Sequence, residues 1–92
     1  LGGMGPLATL DFAQKILTQT TAEKDQDHLP LLIHCIPQIP DRTASLTHGA
    51  ESPLPALLKG LTTLEQAGAG CIVIPCNTAH YWYPDIAEQS SV

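Results

Sequence analysis

Two apolar runs too short to be helices constrain this chain most: "LPLLIHCI" at 29–36 and "CIVI" at 71–74. Each is rich in Ile, Leu or Val and flanked by polar, Gly or Pro residues, which is how strands buried in a parallel sheet are written. Around them the apolar period becomes helical. After Gly2, Gly3 and Gly5, Pro6 suits a first helical turn, where its missing N–H costs nothing. Leu10, Ala13 and Leu17 then recur at helical spacing with Phe12 and Ile16 beside them, and Asp11 and Lys15 form an i,i+4 pair. The spacing predicts a glycine loop feeding a helix that runs to about Thr21. A second helix is predicted from Ser52 as cap and Pro53 as first residue, with Leu54, Leu57, Leu58, Leu61 and Leu64 as its apolar stripe and Gly68 as a left-handed stop. A third covers "NTAHYWYPDIAEQ", interrupted near Pro84. The order is (β)αβαβα, which predicts an α/β fold: an open parallel sheet with flanking helices. Only Leu1 precedes the glycine run, so the first strand is expected to be largely missing, and residues 1–92 read as a partial N-terminal α/β domain of a longer protein.

Ligands of such sheets sit at the carboxyl ends of the strands. Three loops are expected to meet there: Gly2 to Pro6, Pro37 to Arg42, and Pro75 to Thr78. The stretch "PQIPDRTASLTHGAESP" reads as a long loop without structure of its own, a length that often signals function. The net charge of −5 argues against nucleic acid or an anionic membrane surface as partner, and no run is long and apolar enough to span a bilayer. Three cysteines form no disulfide framework, which fits a reducing, cytoplasmic setting.

Cys76 stands where the apolar run 71–74 gives way, past Pro75, to a predicted helix. Free N–H groups and the helix dipole favour a thiolate at such a place, and a thiolate serves as base or nucleophile. Asn77 and Thr78 add polar side chains and backbone N–H groups able to hold a carboxylate. The alternative is an inert buried thiol. Cys35 and Cys71 read as small packed hydrophobes. Arg42, the one arginine, offers two parallel hydrogen bonds to a carboxylate or phosphate; its alternative is a surface pair with an acid such as Asp41. "GMGPLA" matches the dinucleotide pattern, but the following strand ends "HCIPQ", without the acid that would hold a ribose. The four histidines show no metal spacing. His80 lies one helical turn beyond Cys76, at a spacing that allows contact with it; the alternative is an ordinary packing residue.

Taken together, "LGGMGPLAT", "PQIPDRTA" and "PCNTAH" resemble the aspartate racemase branch of the aspartate/glutamate racemase superfamily, in the family's order and in the three loops just named. The resemblance implies an enzyme without cofactor, built of two similar α/β halves, in which one cysteine from each half flanks the amino acid's α-carbon. One takes the α-proton and the other returns a proton on the opposite face. Cys76 matches the first-half cysteine. Asn77 and Thr78 match substrate-binding positions, Met4 a residue lining the site, and Arg42 an arginine that holds a substrate carboxylate, with Gln38 a weaker candidate. A homodimer is implied for the full-length protein. Two departures stand out: Ile36 occupies a place where the family often has Asn, and no second "GCTE"-like motif occurs in these 92 residues.

The reading is therefore the N-terminal part of a pyridoxal-independent amino-acid racemase, aspartate being the first substrate to test, with only half of the acid/base pair and so inactive alone. Its rivals are a non-catalytic remnant or small dicarboxylate-binding α/β module using Arg42 and Asn77–Thr78, and a nucleotide-binding domain using Gly3 and Gly5.

Overall fold

Pro6 stands where the sequence places it, as the first residue of a long helix, while Pro53, expected as the first residue of the other with Ser52 as cap, is itself the N-cap. The computed structural model describes all residues 1–92. Helix α1 spans Pro6–Gln19, α2 Arg42–His48, α3 Leu54–Gln66 and α4 Tyr83–Gln89, with short 3-10 turns at Asp25–Asp27 and Thr78–Trp82. The Ser52 hydroxyl accepts from the Leu54 N–H at 3.2 Å at the head of α3. At its tail Gly68 has φ 95°, and the Gly68 and Ala69 N–H groups donate to the Glu65 and Leu64 carbonyls, a Schellman stop. The last helix breaks between Trp82 and Tyr83, where Pro84 cannot continue the preceding turns.

The stretch 37–53, expected to be a loop, contains α2. The Asp41 carboxylate accepts from the Ala44 N–H at 2.9 Å at the helix start, and Gly49, at φ 64°, closes it. This cap-and-stop pair sits between prolines, which drew the reading toward a loop.

The expected open parallel sheet is not formed. The structure has no strand, only an isolated parallel bridge between Gly2 and Cys35. The Gly2 N–H donates to the His34 carbonyl at 2.9 Å, and the Ile36 N–H donates to the Gly2 carbonyl at 3.0 Å. On the other side the Leu1 ammonium donates to the Val73 carbonyl at 3.0 Å. The apolar segments thus flank Leu1 and Gly2 in the order 33–36, 1–2, 71–74. Two residues between them make too few rungs for a ladder, and the rest of each segment has nothing to pair with. Leu32 and Val73, expected to be buried, are 52% and 50% exposed. Cys35 and Cys71, read as packed hydrophobes, are exposed for the same reason. The backbone makes 46 internal hydrogen bonds, where about 65 are ordinary for this length, as unpaired segments require.

The core lies to one side. Leu57, Leu61 and Leu64 of α3 pack with Trp82 and Ile86, with Leu1 and Met4 of the glycine loop, and with Ile39 and Ala79. α3 packs on α4, and α2 on the 3-10 turn Thr78–Trp82, whereas α1 packs to a comparable extent on none of them. The radius of gyration is 14.2 Å, against about 12 Å for a compact chain of this size. No helix is long and apolar enough to cross a membrane.

Candidate active site

The glycine loop is held from both sides. Gly3 has φ 104°, and a Cβ there would collide with the Ile36 backbone. On the other side the Thr9 hydroxyl, itself buried, accepts from the Gly3 N–H at 2.9 Å and donates to the Gly5 carbonyl at 3.1 Å. A Cβ on Gly2 would strike the Thr9 side chain. Between these walls Met4 points into the core and is 5% exposed. Its present position is packing, not an open lining.

The second loop turns after Ile36, where the Ile39 N–H reaches back to the Ile36 carbonyl at 3.3 Å, and Ile39 is buried. Gln38 is exposed. Arg42 begins α2 and is half-buried; its Nη1 donates to the Ile39 and Pro40 carbonyls at 3.3 and 3.4 Å. Asp41 is engaged as the cap of α2 and does not pair with Arg42. The one ion pair in the chain is Lys15 with Asp11. The guanidinium charge therefore has no carboxylate partner, and donors remain free for one.

In the third loop the Cys76 N–H donates to the Ile74 carbonyl at 2.8 Å, a tight turn that leaves the side chain half-buried against the core. Asn77 follows in helical geometry, exposed, with no capping bond from its side chain. Thr78 is half-buried and Ala79 fully buried, anchoring the turn. The helix expected to start here begins instead as a five-residue 3-10 turn, so fewer aligned peptides face Cys76 than a long α-helix would supply. His80 does reach back, but to the backbone: its Nδ1 lies 2.7 Å from the Cys76 carbonyl oxygen.

Met4, Ile39 and Ala79 belong to one buried cluster, and Cys76 packs on it. Through these residues the glycine loop, the approach to Arg42 and the cysteine turn share one buried floor, without the strand ends that were expected to bring them together. Three open grooves of about 430, 400 and 70 Å³ indent the surface, and none is lined by Met4, Arg42, Cys76, Asn77 or Thr78. The largest is bordered by Pro75 and His80, the residues on either side of the Cys76–Ala79 turn. No group of three or more His, Cys, Asp or Glu side chains is arranged to hold a metal ion. Thr9 escaped the sequence reading; its one signal is a hydroxyl one turn into a helix that opens on glycines.

The family model of Asp/Glu/hydantoin racemases matches residues 1–92, the whole chain. The broad specificity amino-acid racemase RacX of Bacillus subtilis (strain 168) is 31% identical over 96 residues, an alignment that takes in all of this chain and 41% of that protein. The solved structure of Picrophilus torridus aspartate racemase is 43% identical and superposes with a TM-score of 0.87, over 91% of this chain and 36% of that one. The chain thus spans less than half the length of either relative. It belongs to the Asp/Glu/hydantoin racemase family.

Proposed function

We propose that this chain carries one of the two proton-transferring cysteines of a pyridoxal-independent amino-acid racemase, Cys76, and that the substrate is an acidic amino acid, aspartate first. The observation that carries the reading is the convergence of the Cys76 turn, the glycine loop and the approach to an unpaired Arg42 on one buried floor. The names of the two relatives point the same way, one being an aspartate racemase and the other an amino-acid racemase of broad specificity.

In this mechanism Arg42 grips a substrate carboxylate with two parallel hydrogen bonds. The Asn77 amide and the Thr78 hydroxyl hold the α-carboxylate or amine and steady the charge that develops on proton loss. Cys76 Sγ, as thiolate, takes the α-proton and becomes a thiol. A second acid, outside these 92 residues, returns a proton to the opposite face, which inverts the centre. General acid help of that kind is worth about 10²–10⁴-fold, so the chain by itself is not expected to racemise aspartate. The three free thiols fit a reducing cytoplasm as the working compartment, and the resemblance carries a homodimer for the complete enzyme.

The test has two arms. In D₂O, the 92-residue chain with L-aspartate should show at most slow α-deuterium uptake and no appreciable D-aspartate by chiral chromatography. In the complete reading frame, Cys76→Ser should lower kcat/KM by about 10²-fold or more, and Arg42→Lys by roughly 2–4 kcal/mol equivalent. An unchanged kcat/KM in Cys76→Ser overturns the reading. Aspartate binding by calorimetry with no exchange in either form would assign the chain to the dicarboxylate-binding class instead.

A further inference from the structure

We propose that His80 is a positioning residue that fixes the turn carrying Cys76, through a hydrogen bond from its ring Nδ1–H to the Cys76 carbonyl. A carbonyl oxygen only accepts, so at 2.7 Å the proton must sit on Nδ1, and the neutral ring keeps its lone pair on Nε2. No backbone N–H reaches that carbonyl: the His80 N–H, which a regular α-helix would send there, goes to Asn77 at 3.0 Å. The imidazole replaces the missing helical bond.

The peptide units on both sides of the Cys76 α-carbon are thus held. Its N–H is held by Ile74 at 2.8 Å and its carbonyl by His80. The ring is in turn braced by Tyr83, stacked at 6.3 Å between centroids and 14° between planes, and by the fully buried Ala79 next to it in the chain. Holding both peptides sets the direction of the Cα–Cβ bond, leaving only χ1 rotation to place the sulfur. His80 itself is exposed, so truncating it opens no core cavity. The consequence for proton transfer rests on the racemase reading. The positioning itself does not, and the test needs no substrate.

Two measurements on the intact chain decide it. Long-range ¹H–¹⁵N correlation spectra of the neutral ring should show His80 as the Nδ1–H tautomer; a predominant Nε2–H form overturns the proposal. Iodoacetamide labelling read by peptide mass follows Cys76 with Cys35 and Cys71 as internal controls. His80→Ala should free the half-buried Cys76 and raise its rate about 3–10-fold, the equivalent of one net hydrogen bond, while Cys35 and Cys71 keep theirs. His80→Asn, whose amide N–H takes the place of Nδ1–H, should return the Cys76 rate to near that of the parent, and His80→Gln should not. An unchanged Cys76 rate in His80→Ala, a parallel rise at all three thiols, or no rescue by Asn would each overturn the assignment.

Discussion

The two sides of this molecule carry similar apolar patterning and meet opposite fates. On one side α3 lays Leu57, Leu61 and Leu64 against Trp82, Ile86 and the glycine loop, and Leu57 is wholly buried. On the other, α1 presents Leu10, Phe12 and Leu17 to solvent beside Leu31, Leu32, Ile33 and Val73, and of its residues only Thr9 is buried. The stripe on α1 follows the same helical period as that on α3 but is the weaker of the two. What differs is a partner: α3 finds α4, whereas α1 lies over segments that form no sheet. Burial is a property of pairs of surfaces, so the same pattern stabilises one side and leaves the other exposed. The candidate active site sits at the foot of the packed side, where Met4, Ile39 and Ala79 give its loops a fixed base.

The sharpest way to break this contrast is at Leu57. Leu57→Ala should destabilise the chain by about 2–5 kcal/mol, seen as a lower urea midpoint. Leu32→Gln, on the open side, should stay within about 0.5 kcal/mol and reduce binding of a hydrophobic dye. Equal losses at the two positions would mean that the open side is packed in solution.

Backbone substitutions sharpen the same comparison with a smaller effect. Gly3→Ala forces a side chain into a left-handed conformation and onto the Ile36 backbone, and should cost about 1–3 kcal/mol. Gly70→Ala meets nothing within 4 Å and should be near neutral. If Gly70 proved the costlier, the glycine loop would not be the pinned element.

Next comes the cap of α2. Asp41→Ala should cost about 1 kcal/mol by releasing the Ala44 N–H, and Asp41→Asn should recover most of it. Loss of α2 would loosen its packing on the Thr78–Trp82 turn, so faster amide exchange at Thr78–Trp82 is the local readout.

The smallest effect is expected at Glu65. The Ser91 hydroxyl, above all, holds the Glu65 carboxyl below the usual range against an opposing desolvation, with lesser help from the Ser91 N–H and Ser90. Because the folded value is depressed, this contribution is present in full above the ordinary carboxylate value and fades as pH falls through the lowered one. The urea midpoint should therefore drop slightly as pH falls below the ordinary carboxylate value, and Glu65→Gln should flatten that part of the profile. The site is exposed, so a large pH effect there would point to tail contacts stronger than those seen.

How much of this was legible in the chain depends on how local each cause is. Pro6, Gly68 and Pro84 act on their own few residues through φ or a missing N–H and stand where the sequence predicts, whereas Ser52 and Pro53 fall one position earlier than expected, Pro53 being the N-cap of α3. The sequence also marked three loops by their motifs, but the bond from His80 to the Cys76 carbonyl was not legible in it, the spacing alone being equally that of a packing residue. The cap at Asp41 is equally local but was hidden by the prolines around it.

The amino-acid sequence by itself determined where α1 begins and where α3 ends, which face of α3 is apolar, and which side chains stand in the three loops. Those follow from dihedral preference and period. Only the tertiary structure decided that Leu31–Ile33 and Val73 stay open, that Met4 turns inward, that Arg42 lacks a carboxylate, and that His80 holds a carbonyl and not a thiol. An apolar run can propose a strand, but a ladder exists only when another backbone lies alongside it for several residues, and here Leu1 and Gly2 are all that does.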